Sequence, residues 1–194
     1  MVLIVYAHPK SKGNGYAILT EVRKQLGRRK YEVLDLYAMK YDPIMHDDEL
    51  YTAGKKKISK QNLNIQKKIA KSKELIFIYP VWWGTMPAIL KGFFDRVLTP
   101  PFAFQYVKKP IIGYMSKGNL KGKKATVFLT TGAKQWQSWA LQGFKFGHII
   151  KDDVLGFCGI KSKLFHLADC GKWDESRRAE VQKIVSKGLK YLYS

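Results

Sequence analysis

Acidic residues are scarce in this chain. It carries 15 Asp and Glu against 35 Lys and Arg, a formal net charge of +20. Such a balance speaks about partners and solubility, not about fold. Nucleic acid, an anionic membrane face and an anionic ligand are all compatible with it, as is a compositional bias of the source proteome. Cysteine is nearly absent. Cys158 and Cys170 form neither a metal-ligand spacing nor a disulfide framework, which leaves a reduced, cytoplasmic setting as the expectation. No apolar run approaches the ~18 residues of a membrane-spanning helix. The opening "MVLIVYAHPK" lacks a basic n-region and a small-residue cleavage site, so it reads as a first strand and not as a signal peptide. There is no internal repeat and no low-complexity linker.

The chain has 194 residues, 46% of them apolar and 13% aromatic. That suits one domain over 1–194 with a full core. Val2–Ala7 is a continuous apolar run, as expected of a strand covered on both faces. Helical periodicity follows, ending at Gly27. Tyr31–Tyr37 alternates like a strand, and 38–60 is irregular. Asn62–Ser72 reads as helix, Leu75–Tyr79 as strand, and about Thr85 to Val97 as helix. A second irregular stretch reaches Gly122. Lys124–Thr131 is a fourth strand, followed by a loop and a helix. Lys161–Asp169 is a fifth strand, and Asp174–Tyr193 a closing helix with Asp174 as N-cap. Strands alternating with helices predict an α/β fold, a parallel sheet with helices on both faces. Ligands in such sheets bind at the carboxyl ends of the strands.

Three loops fall at those ends. His8–Tyr16, with Ser11, Lys12, Gly13, Asn14 and Gly15, leads into a helix whose free N–H groups suit a phosphate. It is neither a dinucleotide fingerprint nor a P-loop. Pro80, Val81, Trp82 and Trp83 follow the third strand and supply planar apolar surface. Thr130, Thr131 and Gly132 close the fourth strand and supply hydroxyls and backbone donors. A phosphorylated, planar, polar-edged ring meets all three demands, which describes a flavin nucleotide. Core packing or a dimer interface is the competing reading of the two tryptophans.

The residues also carry a family resemblance. "LIVYAHP", "DLYAM", "PVWWGTMPAILKGFFDRV", "FAF", "TTG", "LQG" and "FCG" occur in that order over about residues 2 to 160. They resemble the flavodoxin-like NAD(P)H:quinone oxidoreductase family, which includes mammalian quinone reductases and ancillary subunits of bacterial potassium-efflux systems. The resemblance implies a flavodoxin-like three-layer α/β/α sandwich with a five-stranded parallel sheet, order 2-1-3-4-5. It implies FMN or FAD as cofactor and NAD(P)H as reductant. It places His8 and Ser11–Gly15 at the flavin phosphate side, and Pro80–Trp83 at the ring and ribityl chain. Thr130–Gly132 fall at the pyrimidine edge, where donors would stabilise the reduced flavin. It further implies a ping-pong, two-electron reduction of quinones or related acceptors by a homodimer, with Phe102, Phe104 and Trp136 as candidates for lining the interface.

The chain departs from the family at two places. Gly13-Asn14-Gly15 stands where serine or threonine then Phe-Asn is usual. Trp139 and Lys145 stand where the mammalian enzymes place a tyrosine and a histidine, so that charge relay does not carry over. Trp139 and Lys145 are kept as candidate substrate-binding residues, and no catalytic acid or base is assigned. From Arg96 to Lys151 there are ten Lys or Arg and no Asp or Glu. A basic mouth would favour NADPH or acidic acceptors, or contact with an anionic membrane or a partner's acidic surface. The rival reading is a flavoprotein regulatory subunit of a membrane ion-efflux system. A nucleic-acid partner lacks any recognisable module. His46-Asp47-Asp48-Glu49 reads as a solvated loop and not as a metal site. His148 and His166, in apolar contexts, read as structural.

Overall fold

The computed structural model of the protein describes residues 1–55, 57–110, 113–140, 143–171 and 173–194, without the side chain of Trp139. The elements run β1 (Val2–Tyr6), α1 (Asn14–Leu26), β2 (Tyr31–Asp35), α2 (Lys60–Lys71), β3 (Glu74–Pro80) and α3 (Ala88–Val97). They continue with β4 (Phe104–Lys109), β5 (Gly113–Gly118), β6 (Lys124–Thr130), α4 (Gln135–Ala140), α5 (Lys145–His148), β7 (Lys161–Leu167) and α6 (Arg178–Tyr193). A π-helical segment, Ile149–Gly156, extends α5.

Five strands pair in parallel in the order β2-β1-β3-β6-β7. Counting only these strands, this is the expected flavodoxin-like 2-1-3-4-5. The apolar runs are central because both of their faces are covered: every residue of β1 is buried. One core cluster joins the sheet to α1 and α6 through Ile4, Ile18, Val22, Phe128 and Val185. The other packs Leu3, Phe77, Phe93 and Val127 with Ile65 of α2, on the opposite face. Gly188 sets the distance of α6 from the sheet. A Cβ there would lie 2.4 Å from the Phe128 ring, and Thr126 Oγ1 donates to the Gly188 carbonyl at 3.0 Å. Among the described residues, no helix is long and apolar enough to cross a membrane.

Two stretches read as irregular are ordered by side chains distant in sequence. Phe104–Lys109 and Gly113–Gly118 form an antiparallel ribbon, β4 with β5, separate from the main sheet. Its base is pinned by Phe104, which is buried and packs edge-on against Phe157 at 4.9 Å between ring centroids. Phe104, a candidate for lining a dimer interface, is therefore a core anchor in the folded chain. The stretch from Asp42 to Glu49 is docked by Arg96. Its Nε and Nη2 donate to the Glu49 carboxylate at 2.7 and 2.9 Å, with both side chains under a tenth exposed. Glu49 thus belongs to a buried ion pair, not to a solvated loop. His46 pairs instead with Asp42 at 2.7 Å. His148 is also corrected: it is exposed on α5 and reaches Asp152 at 3.1 Å.

Candidate functional site

The carboxyl ends of β1, β3, β6 and β7 surround a cleft of about 430 Å³. That lies within the range of about 300–1,000 Å³ typical of small-molecule sites. Register explains the convergence. Tyr6 lies beside Ile78 and Pro80 beside Thr130, so the loops that follow leave the sheet on one edge. Val81 N–H donates to the Thr130 carbonyl at 2.8 Å and joins two of those loops.

The first wall is the start of α1. Gly13 turns the chain with φ +97°, no side chain caps the helix, and its first turn holds no acidic residue. The leading N–H groups of an α-helix have no partner within it. They are open to an anion here, between Lys10 and Lys12. Asn14 is 8% exposed, and its Oδ1 is buried without a hydrogen-bond partner. A buried acceptor of that kind lacks a hydroxyl or N–H donor, which a ligand can supply. His8 accepts from Lys10 N–H through Nδ1 at 3.0 Å. Its neutral ring therefore carries the proton on Nε2, and burial holds its basicity below the usual imidazole range.

The second wall is Pro80, Val81 and Trp82. Trp82 N–H donates to Thr85 O at 2.9 Å, and Thr85 N–H returns to Trp82 O at 3.1 Å. The turn so closed has Trp83 and Gly84 at φ +50° and +73°, a primed hairpin turn that favours Asn-Gly. It aims the two tryptophans differently. Trp82 is 41% exposed and stands 6.1 Å from the His8 ring. Trp83 is 103% exposed and is not part of the cleft wall.

The third wall is Thr130, Thr131 and Gly132. Thr131 N–H donates to Leu167 O at 3.1 Å, and Thr131 O accepts from Cys170 N–H at 2.7 Å. Its hydroxyl lies 3.0 Å from Ala133 O and 2.8 Å from His166 Nε2. The hydroxyl proton is thus engaged inside the protein.

Eleven of the thirteen residues expected to hold a cofactor line this cleft. The other two do not. Ser11 lines an adjoining cavity beside Tyr16 and Arg178, and Trp83 points to solvent. Of the two expected substrate residues, Lys145 is exposed at the start of α5, outside the cleft wall. The side chain of Trp139, like Leu141 and Gln142 of the "LQG" motif, lies outside the described residues. The sequence reading missed Lys10, Cys170, Gly171 and Trp173, which complete the cleft. The last three follow β7, and the carboxyl-end rule applied to that strand would have found them. Arg177 braces this segment, donating to Ala168 O at 2.6 Å and Asp169 O at 2.5 Å. Burial pushes the Cys170 thiol up to about 11, which makes it a structural thiol and not a nucleophile.

Comparison with known proteins agrees with this geometry. A family model described as flavodoxin-like fold matches residues 1–189. NAD(P)H dehydrogenase [quinone] 1 of Cavia porcellus is 32% identical over 184 residues, which cover 82% of this chain and 64% of that protein. The chain thus spans just under two thirds of that relative's length. The solved structure of Smu.1420 from Streptococcus mutans is 30% identical and superposes with TM-score 0.82, covering 97% of this chain and 98% of that one. An NAD(P)H:quinone oxidoreductase from Methanothermobacter marburgensis is 25% identical with TM-score 0.80, covering 98% and 94%. The sheet order, the three-walled cleft and these matches together make the chain a member of the flavodoxin-like family that contains the NAD(P)H:quinone oxidoreductases.

Proposed function

We propose that this protein is a flavin-dependent NAD(P)H oxidoreductase that reduces quinones or related acceptors by two electrons in a ping-pong cycle. One observation carries the reading. A single cleft joins an uncapped helix N-terminus, a buried acceptor without a partner and a half-exposed tryptophan. Those features fit, respectively, a phosphate, a polyol hydroxyl and a planar ring. The relatives named for quinone reduction support the reaction class.

A bound flavin, FMN or FAD, supplies the two-electron carrier between a nicotinamide and the acceptor. The open N–H groups of α1 would hold its phosphate, with Lys10 and Lys12 adding charge. Asn14 Oδ1 would accept from the sugar-alcohol chain. Trp82 and Pro80 would cover the ring. Thr131 and the backbone of Gly132 would meet the pyrimidine edge. The two imidazoles near the cleft, His8 and His166, are both held neutral by burial. The side chains act by binding and orientation, and hydride transfer needs no acid or base beyond that positioning.

The protein works as a homodimer in this reading, which would cover the exposed Trp136. The basic stretch from Arg96 to Lys151 would favour NADPH over NADH. Reconstituting apoprotein with FMN or FAD, then following NADPH and NADH oxidation with a water-soluble quinone, tests the proposal. Turnover dependent on flavin and quinone is expected. No flavin binding, or a bound flavin that neither nicotinamide reduces, would refute it. Sedimentation at several concentrations tests the dimer.

A further inference from the structure

His166 sits near the end of β7, with its ring against the packed pair of Phe144 and Phe146, at 5.8 and 5.7 Å between centroids. Its polar contact is Thr131 Oγ1, at 2.8 Å from Nε2. Its Nδ1 is buried without a partner. Two bonds meet at the Thr131 hydroxyl, which has one proton to give. Its other neighbour, the Ala133 carbonyl at 3.0 Å, can only accept. Counting donors assigns the network. Thr131 donates to Ala133 O, His166 donates from Nε2, and His166 Nδ1 keeps a bare lone pair. The opposite assignment would bury an unpaired Nδ1–H and leave Thr131 and Ala133 as two acceptors in contact. The Ala133 carbonyl is itself fixed, since it also accepts from Asp169 N–H at 2.9 Å.

With its proton given away and one lone pair filled by His166, the Thr131 hydroxyl has one lone pair left and no proton to offer. We propose that His166 is a positioning residue that makes Thr131 an obligate hydrogen-bond acceptor at the cleft. It thereby selects a ligand edge that presents an N–H donor, such as the imide of a flavin pyrimidine. This inference rests on the flavin reading and reverses one part of the sequence expectation. The Thr131 side chain does not donate to the ring; donation at this edge falls to backbone N–H groups.

An imidazole packed against two phenylalanines, with one nitrogen unpaired, is a poor choice for stability alone. Leucine would fill the slot without orphaning a polar atom. Burial keeps the imidazole neutral by lowering its basicity, which preserves a single donor at Nε2. A packing role and a positioning role therefore give opposite signatures on substitution. His166→Leu is expected to leave the melting temperature equal or higher while weakening FMN binding by about 10-fold, the effect of one well-made hydrogen bond. His166→Gln, which restores an N–H donor on a side chain of similar reach, is expected to recover most of that affinity.

The probes are FMN and its N3-methyl derivative, titrated into wild-type, His166→Leu and His166→Gln apoproteins. Wild type should prefer FMN, and the preference should shrink in His166→Leu, because the Thr131 hydroxyl then keeps only its Ala133 contact and, without the Nε2–H bond to hold it, can turn its proton to the ligand. Comparing preferences cancels the bulk of the methyl group. Nitrogen-15 spectra of the wild-type histidines should show the Nε2–H tautomer at His166, a reading that needs no substitution. An Nδ1–H tautomer, or equal FMN affinity and equal N3-methyl discrimination in wild type and His166→Leu, would overturn the proposal while leaving the flavin reading intact. Failure of wild type to bind either FMN or FAD would overturn both.

Discussion

The tryptophan turn offers the sharpest test of the site's geometry, because adjacent and chemically identical residues are assigned opposite roles. Trp82 is 41% exposed and lines the cleft, whereas Trp83 is fully exposed outside it. Stacking of an aromatic side chain on a planar ring is worth ~1–3 kcal/mol on truncation. Trp82→Ala should therefore raise the flavin Kd by about 5- to 150-fold. Trp83→Ala should change it by less than about 3-fold, within the ~0.6 kcal/mol expected of a residue that does not touch the ligand. Trp83 also holds φ +50°, a conformation that costs a bulky residue ~1–2 kcal/mol and that asparagine adopts readily. Trp83→Asn should then stabilise the protein by about 1 kcal/mol and raise its melting temperature by ~2–4 °C. Quenching of flavin fluorescence on titration into apoprotein measures the first pair, and thermal melts the last. Equal losses for the two alanine variants, or no loss for Trp82→Ala, would refute the assignment of Trp82 as the ring wall.

Three further outcomes follow from named contacts. Asn14→Leu removes a buried acceptor that has no partner in the protein. It should weaken flavin binding by about 5-fold, the worth of one hydrogen bond, without lowering apoprotein stability; melts and titrations read the two effects. Arg96→Met breaks a buried, bidentate pair with Glu49. It should cost about 3–5 kcal/mol and on the order of 10 °C in melting temperature, leaving flavin affinity of the folded protein unchanged. The half-buried imidazoles of His8 and His166 are less basic than usual in the folded chain. The unfolded chain therefore binds more protons below its imidazole pKa of ~6.5, so their contribution is complete above that pH and is lost as pH falls from there through the lower folded-state values. Melts from pH 8 to pH 5 should show the decline, and His166→Leu should flatten it.

The parallel sheet was legible because burial on both faces writes uninterrupted apolar runs, as in "VLIVY" and "LIFIY". The cleft loops were legible because the same reading places them after strands, where this class of sheet binds ligands. The β4–β5 ribbon was not legible. One face carries Val107 and Met115 beside Lys109 and Lys117, and the other Phe104 and Tyr106 beside Lys108, so no alternation of apolar and charged side chains marks it as a strand pair. The ion pair of Arg96 and Glu49 spans 47 positions, and nothing local distinguishes that glutamate from its acidic neighbours. The two tryptophans are adjacent letters with the same chemistry. Only the backbone turn separates a cleft wall from a solvent-facing ring. His166 was taken as structural because its neighbours in sequence are apolar. Its contact with Thr131 depends on the pairing of β6 with β7, which the local sequence does not encode.

The central claim is that the cleft binds a redox-active flavin that nicotinamide reduces. The most direct measurement is the visible spectrum of the purified, flavin-reconstituted protein during anaerobic titration with NADPH. A flavin band near ~450 nm should be retained through gel filtration, bleach with one equivalent of NADPH per flavin, and return on addition of one equivalent of quinone. A colourless protein after incubation with FMN and with FAD, or a retained flavin that stays oxidised with both NADPH and NADH, would contradict the account.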